Sequence, residues 1–167
     1  MLGNDNNYLI LMRHAKTIPH NSNIDDWERN ITEHGIYQAN LSAKFLMNNS
    51  NLIPQLIISS TAKRAIQTAE IVATSLNLSN NIILTKDTLY YGDLNSYLDT
   101  IYQVDDDIRK FMIVGHNPTI SMLAALLTNN KVDRMKTATI LGIEILSKRW
   151  LNFDLKHKNT LFFFSPD

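Results

Sequence analysis

The feature that most restricts the fold is an alternation of short apolar runs with longer amphipathic stretches. Residues 8–12 (YLILM), 55–59, 81–85 and 111–114 are largely apolar runs of four or five residues, too short for buried helices and right for buried strands. Between them lie stretches of helical period. In residues 32–48, Ile36, Ala39, Leu41, Ala43, Phe45 and Leu46 supply the apolar positions and Thr32 is a good N-cap. In residues 62–76, Ala65, Ala69, Val72, Ala73 and Leu76 do the same. A polar helix is predicted over 94–103, and another opens at Gly115-His116-Asn117-Pro118 and runs to about residue 127. Strands joined by helices are parallel strands, so the expected fold is α/β: one three-layer domain, a mostly parallel central sheet flanked by helices. The tail changes character. Residues 139–146, 149–155 and 160–164 read as further strands, with Ser147-Lys148 as a hairpin turn.

A chain of 167 residues fits a single domain over 1–167, and no repeat or linker divides it. The formal net charge is +0, so no overall field draws the protein to nucleic acid or anionic lipid, and any bound anion needs a local cluster. With Cys 0, disulfides, thiolate catalysis and cysteine-based metal sites are excluded. The first residues do not resemble a signal peptide and the apolar runs are too short to span a bilayer, so the expectation is a cytoplasmic protein without membrane partners.

The candidate chemistry sits where three predicted strands end. Arg13-His14 follows the first, Ser60 and Arg64 follow the second, and Gly115-His116-Asn117-Pro118 follows the fourth. Open parallel sheets bind ligands beyond the carboxyl ends of their strands, so two histidines and two arginines are expected to converge there. An imidazole nitrogen is a competent nucleophile toward phosphorus when the ring proton sits on the other nitrogen. Two guanidinium forks match the oxygens of a transferring phosphoryl group, and the helix following Ser60 aims backbone N–H groups at the same place. No metal or other cofactor is required by this set. Each residue also has a plainer reading: a lone His beside an Arg is usually a surface pair, and Arg64 by itself would be a solvated helix residue. Their joint occurrence favours the pocket. His20, His34 and His157 are expected on the surface, Asp105-Asp106-Asp107 in a solvated loop, and Trp27 and Trp150 in core or rim packing.

The segments Met12-Arg13-His14-Ala15-Lys16-Thr17, Ser59-Ser60-Thr61-Ala62-Lys63-Arg64-Ala65-Ile66-Gln67-Thr68-Ala69 and Val114-Gly115-His116-Asn117-Pro118 together resemble the histidine phosphatase superfamily. The short chain and the Arg-His-Ala form are most similar to its SixA-type protein phosphohistidine phosphatases, and Asp26-Trp27-Glu28-Arg29 leading to Thr32 and Gly35 resembles the family's approach to the first helix. The resemblance implies a phosphoglycerate mutase-like fold, His14 as the phosphorylated nucleophile, Arg13 and Arg64 as phosphate ligands, and His116 as the second pocket histidine. Lys16, Thr17 and Asn117 are further candidates for substrate binding, and a phosphohistidine-bearing protein is the implied substrate. A small-molecule phosphomonoester phosphatase and a non-catalytic phosphate-binding module are the alternatives. The chain departs from the family where larger members carry a proton donor: Asn117 follows His116, and the loop Leu89-Tyr90-Tyr91-Gly92 has no Glu. Asp87, Asp93, Tyr90 and Tyr91 are the groups nearest in sequence that could replace it. Thr61 stands where the family usually has proline.

Overall fold

The computed structural model describes residues 6–21, 23–49, 52–151 and 153–166. Among the described residues six strands form one sheet: β1 (Asn7–Arg13), β2 (Leu56–Ser60), β3 (Ile83–Lys86), β4 (Lys110–Gly115), β5 (Ile140–Ile145) and β6 (Lys158–Phe164), in the order β3-β2-β4-β1-β5-β6. β3, β2, β4 and β1 pair in parallel; β5 runs antiparallel to both β1 and β6. Helices α1 (Glu33–Met47) and α2 (Lys63–Ser75) pack on one face. α4 (Leu94–Tyr102) and α5 (Thr119–Leu127) pack on the other, and the short α3 (Thr88–Tyr91) leads into α4.

The all-apolar β1 follows from burial on both sides. Leu9 and Leu11 enter the core beneath α4 and α5 with Phe111, Ile113, Tyr97, Ile101 and Leu123. Ile10 and Met12 enter the opposite core with Met112, Val114 and Ile140. There the helices present small side chains, Ala39 and Ala43 from α1 and Ala65, Ala69 and Ala73 from α2. Thr32 caps α1 as expected, its hydroxyl accepting from the Gly35 N–H at 3.0 Å.

Two sequence expectations are corrected. The third strand begins at Ile83, because residues 80–82 form a 3-10 turn whose Asn81 N–H bonds to the Ser79 hydroxyl. The described residues of 149–155 form no strand, and Ser147-Lys148 is not a two-residue hairpin turn; residue 152 lies outside the described residues. β5 pairs directly with β6, and the Leu146 N–H bonds to the His157 carbonyl across the base of a longer loop. The reason is Trp150. Its backbone N–H goes to Asp106 Oδ1 (2.9 Å) and its indole N–H to the Ile108 carbonyl (2.6 Å), so it makes no ladder bonds there. Its ring is fully buried edge-on to Phe111, with centroids 4.6 Å apart, and Phe153 follows it into the same core. The alternation that looked like a strand is a loop inserting two aromatic plugs. Asp106, expected in a solvated loop, anchors that plug.

Trp150→Ala should lower the unfolding free energy by about 3–5 kcal/mol, the usual cost of deleting a buried Trp. Urea denaturation measures this, and a loss below about 1 kcal/mol would mean the loop contributes little to the core.

Candidate functional site

The site lies at the carboxyl ends of three neighbouring interior strands. β1 and β4 are in register with Arg13 opposite Gly115, and the His14 N–H bonds to the Gly115 carbonyl at 3.1 Å. That pairing brings His14 beside His116, with ring centroids 5.0 Å apart. On the other side of β4, Ser60 ends β2 and its Oγ lies 2.7 Å from His116 Nε2. Beneath them Tyr97 packs so closely under Gly115 that a Cβ there would lie 2.3 Å from the phenol oxygen. The Tyr97 hydroxyl donates to the Leu89 carbonyl (2.8 Å) and accepts from the His116 N–H (3.2 Å), tying the end of β4 to α3.

His14 is set by its surroundings. Nδ1 lies 2.8 Å from the Ala15 carbonyl, which can only accept, so Nδ1 carries the proton and Nε2 keeps its lone pair. Burial first, then the neighbouring His116, Arg64 and Arg13, push its pKa well below the ordinary 6.5 against the Ala15 bond. The ring is therefore neutral at neutral pH. Ala15 is fixed in turn, since its N–H donates to Thr68 Oγ1 (3.0 Å), whose hydroxyl donates to the Arg64 carbonyl (2.7 Å). Thr68 and Arg64 lie one turn apart on α2. Gln67 of the same motif accepts from the Ile31 N–H, and Gln38 of α1 accepts from the Lys16 N–H, both at 3.0 Å. Gly35 is required here, because a Cβ would lie 2.2 Å from the Lys16 carbonyl oxygen.

His116 is also buried, and burial followed by repulsion from Arg64 lowers its pKa to about 3. Ser60 Oγ accepts from the Ala62 N–H (3.1 Å), and its own hydroxyl proton finds its acceptor in His116 Nε2 at 2.7 Å. Nδ1 then carries the ring proton, and it is buried without a partner. Arg13 Nε is likewise buried and unpartnered, while its Nη1 bonds to the Met135 carbonyl at 3.2 Å. Burial, Arg134 and Arg64 lower the Arg13 pKa, but a guanidinium stays charged at neutral pH. The pocket thus offers one free imidazole lone pair, two unsatisfied donors and two cations.

The remaining candidates sit around this centre. Lys16 is exposed two residues beyond His14. The Thr17 hydroxyl accepts from Arg29 Nη2 at 2.5 Å. Asn117 spans two partners, donating to the Met135 carbonyl (3.0 Å) and accepting from the Ser121 hydroxyl (2.5 Å). Of the groups considered as proton donors, Asp87 accepts from Thr61 and Asp93 caps α4 through the Ser96 N–H. The Tyr90 hydroxyl donates to Asp26, and Tyr91 is 82% exposed. Thr61 thereby fastens the turn with a hydrogen bond where a proline would stiffen it. His20, His34 and His157 are all exposed.

Sequence reasoning assigned no role to Asp26. Its Oδ2 accepts from Arg64 Nη2 (2.9 Å) and Tyr90 (2.9 Å), its Oδ1 from Arg29 Nη1 (2.7 Å), and its carbonyl from Arg64 Nη1 (2.6 Å). Burial would raise its pKa, but the bonds from Arg29, Tyr90 and Arg64 outweigh that and hold it well below the usual carboxylate range. Asp26 is ionised at neutral pH. Its place in the Asp-x-x-Arg segment was the one available signal. Among the described residues no three His, Cys, Asp or Glu side chains cluster as metal ligands, and no helix is long and apolar enough to cross a membrane.

Comparison with known proteins agrees with this fold. The family model of the histidine phosphatase superfamily (branch 1) matches residues 9–88. The protein ML1117 of Mycobacterium leprae is 30% identical, over 93% of this chain and 99% of its own. A SixA protein from Agrobacterium tumefaciens superposes with TM-score 0.81 at 23% identity, covering 96% and 98% of the two chains. The protein histidine phosphatase SixA complexed with tungstate gives 0.75 at 21%, over 95% and 97%. A mycobacterial glucosyl-3-phosphoglycerate phosphatase gives 0.63 at 16%, over 93% and 97%. With its fold, its three strand-end motifs and these relatives in agreement, the chain belongs to the histidine phosphatase superfamily.

Proposed function

We propose that the protein is a metal-independent phosphatase that forms a phosphohistidine on His14 and acts on phosphohistidine carried by a protein. The observation that carries the reaction is the contact of His14 Nδ1 with the Ala15 carbonyl, which in a neutral ring leaves the lone pair on Nε2. Nε2 attacks phosphorus, and the leaving group departs. Water then displaces phosphate from His14. Arg13 and Arg64 hold the equatorial oxygens, and His116 donates its unpartnered Nδ1–H to the same group. A phosphate anion arriving beside His116 opposes the burial and cationic repulsion that keep it neutral, and so strengthens it as a donor. Tungstate bound to a SixA protein of the same fold supports an oxyanion pocket. Lys16 meets the substrate outside the pocket, while Thr17 and Asn117 hold its walls through Arg29 and Met135.

The substrate class follows from the leaving group. An alkyl phosphate leaves as an alkoxide unless a group donates a proton, help commonly worth about two to four powers of ten. The carboxylates around this pocket are engaged elsewhere or, in Asp26, firmly ionised. A phosphohistidine P–N bond needs no such donor, because the leaving imidazole departs neutral with its own proton. That favours the protein substrate over a sugar phosphate.

His14→Ala should abolish turnover, and quenching without acid should trap phosphate on His14 in the wild type. Arg13→Ala and Arg64→Ala should each reduce kcat/KM about a hundredfold or more, the cost of about 3 kcal/mol of transition-state stabilisation. Normal turnover in either arginine variant would place the phosphate elsewhere.

Among a phosphohistidine protein, an aryl phosphate and an alkyl sugar phosphate, kcat/KM should fall in that order without added metal. An alkyl phosphate equal to the P–N substrate would reveal a working acid and favour a small-molecule phosphatase.

The histidines also predict a pH dependence of stability. Their folded pKa values lie below 6.5, so between the folded and unfolded values the unfolded chain binds more protons. Stability is then complete above about pH 6.5 and falls as the pH drops, by up to about 1.4 kcal/mol per pH unit for each histidine. Urea unfolding at pH 7 and pH 5 should show this loss, and His116→Gln should show a smaller one. An equal loss in both proteins would assign the effect to other groups.

A further inference from the structure

We propose that Asp26 is the positioning residue of the phosphate clamp, fixing the Arg64 guanidinium and holding Tyr90 against His116. The proposal rests on the reading that Arg64 binds phosphate. Asp26 meets two different nitrogens of Arg64, its carbonyl taking Nη1 at 2.6 Å and its Oδ2 taking Nη2 at 2.9 Å. Two bonds to separate nitrogens define both the position and the plane of the fork. Arg64 is only 6% exposed, so water competes little for those bonds. Five N–H donors less two leaves three for an incoming anion.

Asp26 is itself oriented from three sides. Arg29 holds Oδ1 at 2.7 Å, and Arg29 is fastened to the Thr17 hydroxyl and, through Nε and Nη2, to the Ile18 carbonyl. The carboxylate is thereby tied to the segment immediately after the nucleophile. Tyr90 donates to Oδ2 at 2.9 Å, and its ring stands edge-on to His116 with centroids 5.6 Å apart. The Arg64 guanidinium carbon lies 5.8 Å from the centroid of that same ring. One side chain therefore connects the loop after His14, the first turn of α2 and α3. An unbraced arginine would have to give up its rotamer freedom each time substrate bound; this one has done so already.

A bare carboxylate in an anion site could instead compete with the phosphate for Arg64. The two roles predict opposite changes in oxyanion affinity, which separates them.

The experiment is a double-mutant cycle of Asp26→Ala and Arg64→Ala, read as kcat/KM on an aryl phosphate and as inhibition by vanadate, with urea unfolding of each variant. Asp26→Ala should lower kcat/KM about tenfold to a hundredfold, mainly through KM, and weaken vanadate inhibition. The double variant should be little worse than Arg64→Ala alone, because without the guanidinium Asp26 keeps only its hold on Tyr90. Asp26→Asn, which keeps one acceptor oxygen, should recover part of the loss and serves the same cycle if the alanine variant fails to fold. Losses that multiply in the double variant would overturn the proposal, as would unchanged activity or tighter vanadate binding in Asp26→Ala. Full activity in Arg64→Ala would instead remove the clamp reading and this proposal with it.

Discussion

A single hydrogen bond, from His14 Nδ1 to the carbonyl of Ala15, determines which nitrogen of the buried ring stays unprotonated. A bond to the adjacent residue is useful only if that residue cannot turn. The structure prevents turning from both ends: the His14 N–H is tied to Gly115 on β4, and the Ala15 N–H to Thr68 on α2. Thr68 in turn bonds the carbonyl of Arg64, so the helix that orients His14 also carries Arg64. The motif spacing of Arg64, Gln67 and Thr68 is one helical turn used on one side, reaching respectively Asp26, Ile31 and Ala15.

The electrostatics of the pocket rest on the same packing. Two arginines and two histidines crowd one strand edge, and the histidines yield by staying neutral. Burial is the leading cause for each, with cationic neighbours adding to it. A carboxylate at Arg64 tempers the excess charge without becoming a proton donor, because Arg29 and Tyr90 share it. One side chain thus offsets charge and accepts hydrogen bonds from three partners.

The parts legible in the sequence were those written as contiguous peptide patterns. Arg13-His14, Ser60 to Thr68 and Gly115 to Pro118 each sit at a strand end, and strand ends of a parallel sheet meet. Asp26 was illegible in its role because Arg64 and Tyr90 lie 38 and 64 residues away, and the Asp-x-x-Arg segment reveals only its bond to Arg29. Tyr90 could be named as nearby but not aimed. The C-terminal error was of another kind. Trp150, Leu151 and Phe153 offer apolar residues at strand-like spacing, and only the diversion of the Trp150 N–H to Asp106 reveals a loop. Periodicity reports which side chains are buried, not where the backbone bonds go.

The strand order has a consequence for how the molecule breathes. β2, β4 and β1, which carry the site, are interior strands, while the free edges belong to β3 and β6. Sheets fray from their edges, where amide groups face water on one side. Opening at either rim therefore stops one strand short: at β2 on one side, and on the other at β5, whose pairing with β1 shields the strand that leads to His14. The cluster of histidines and arginines inherits the slowest motions of the fold, and the rims can loosen, lengthen or change sequence while that cluster keeps its shape.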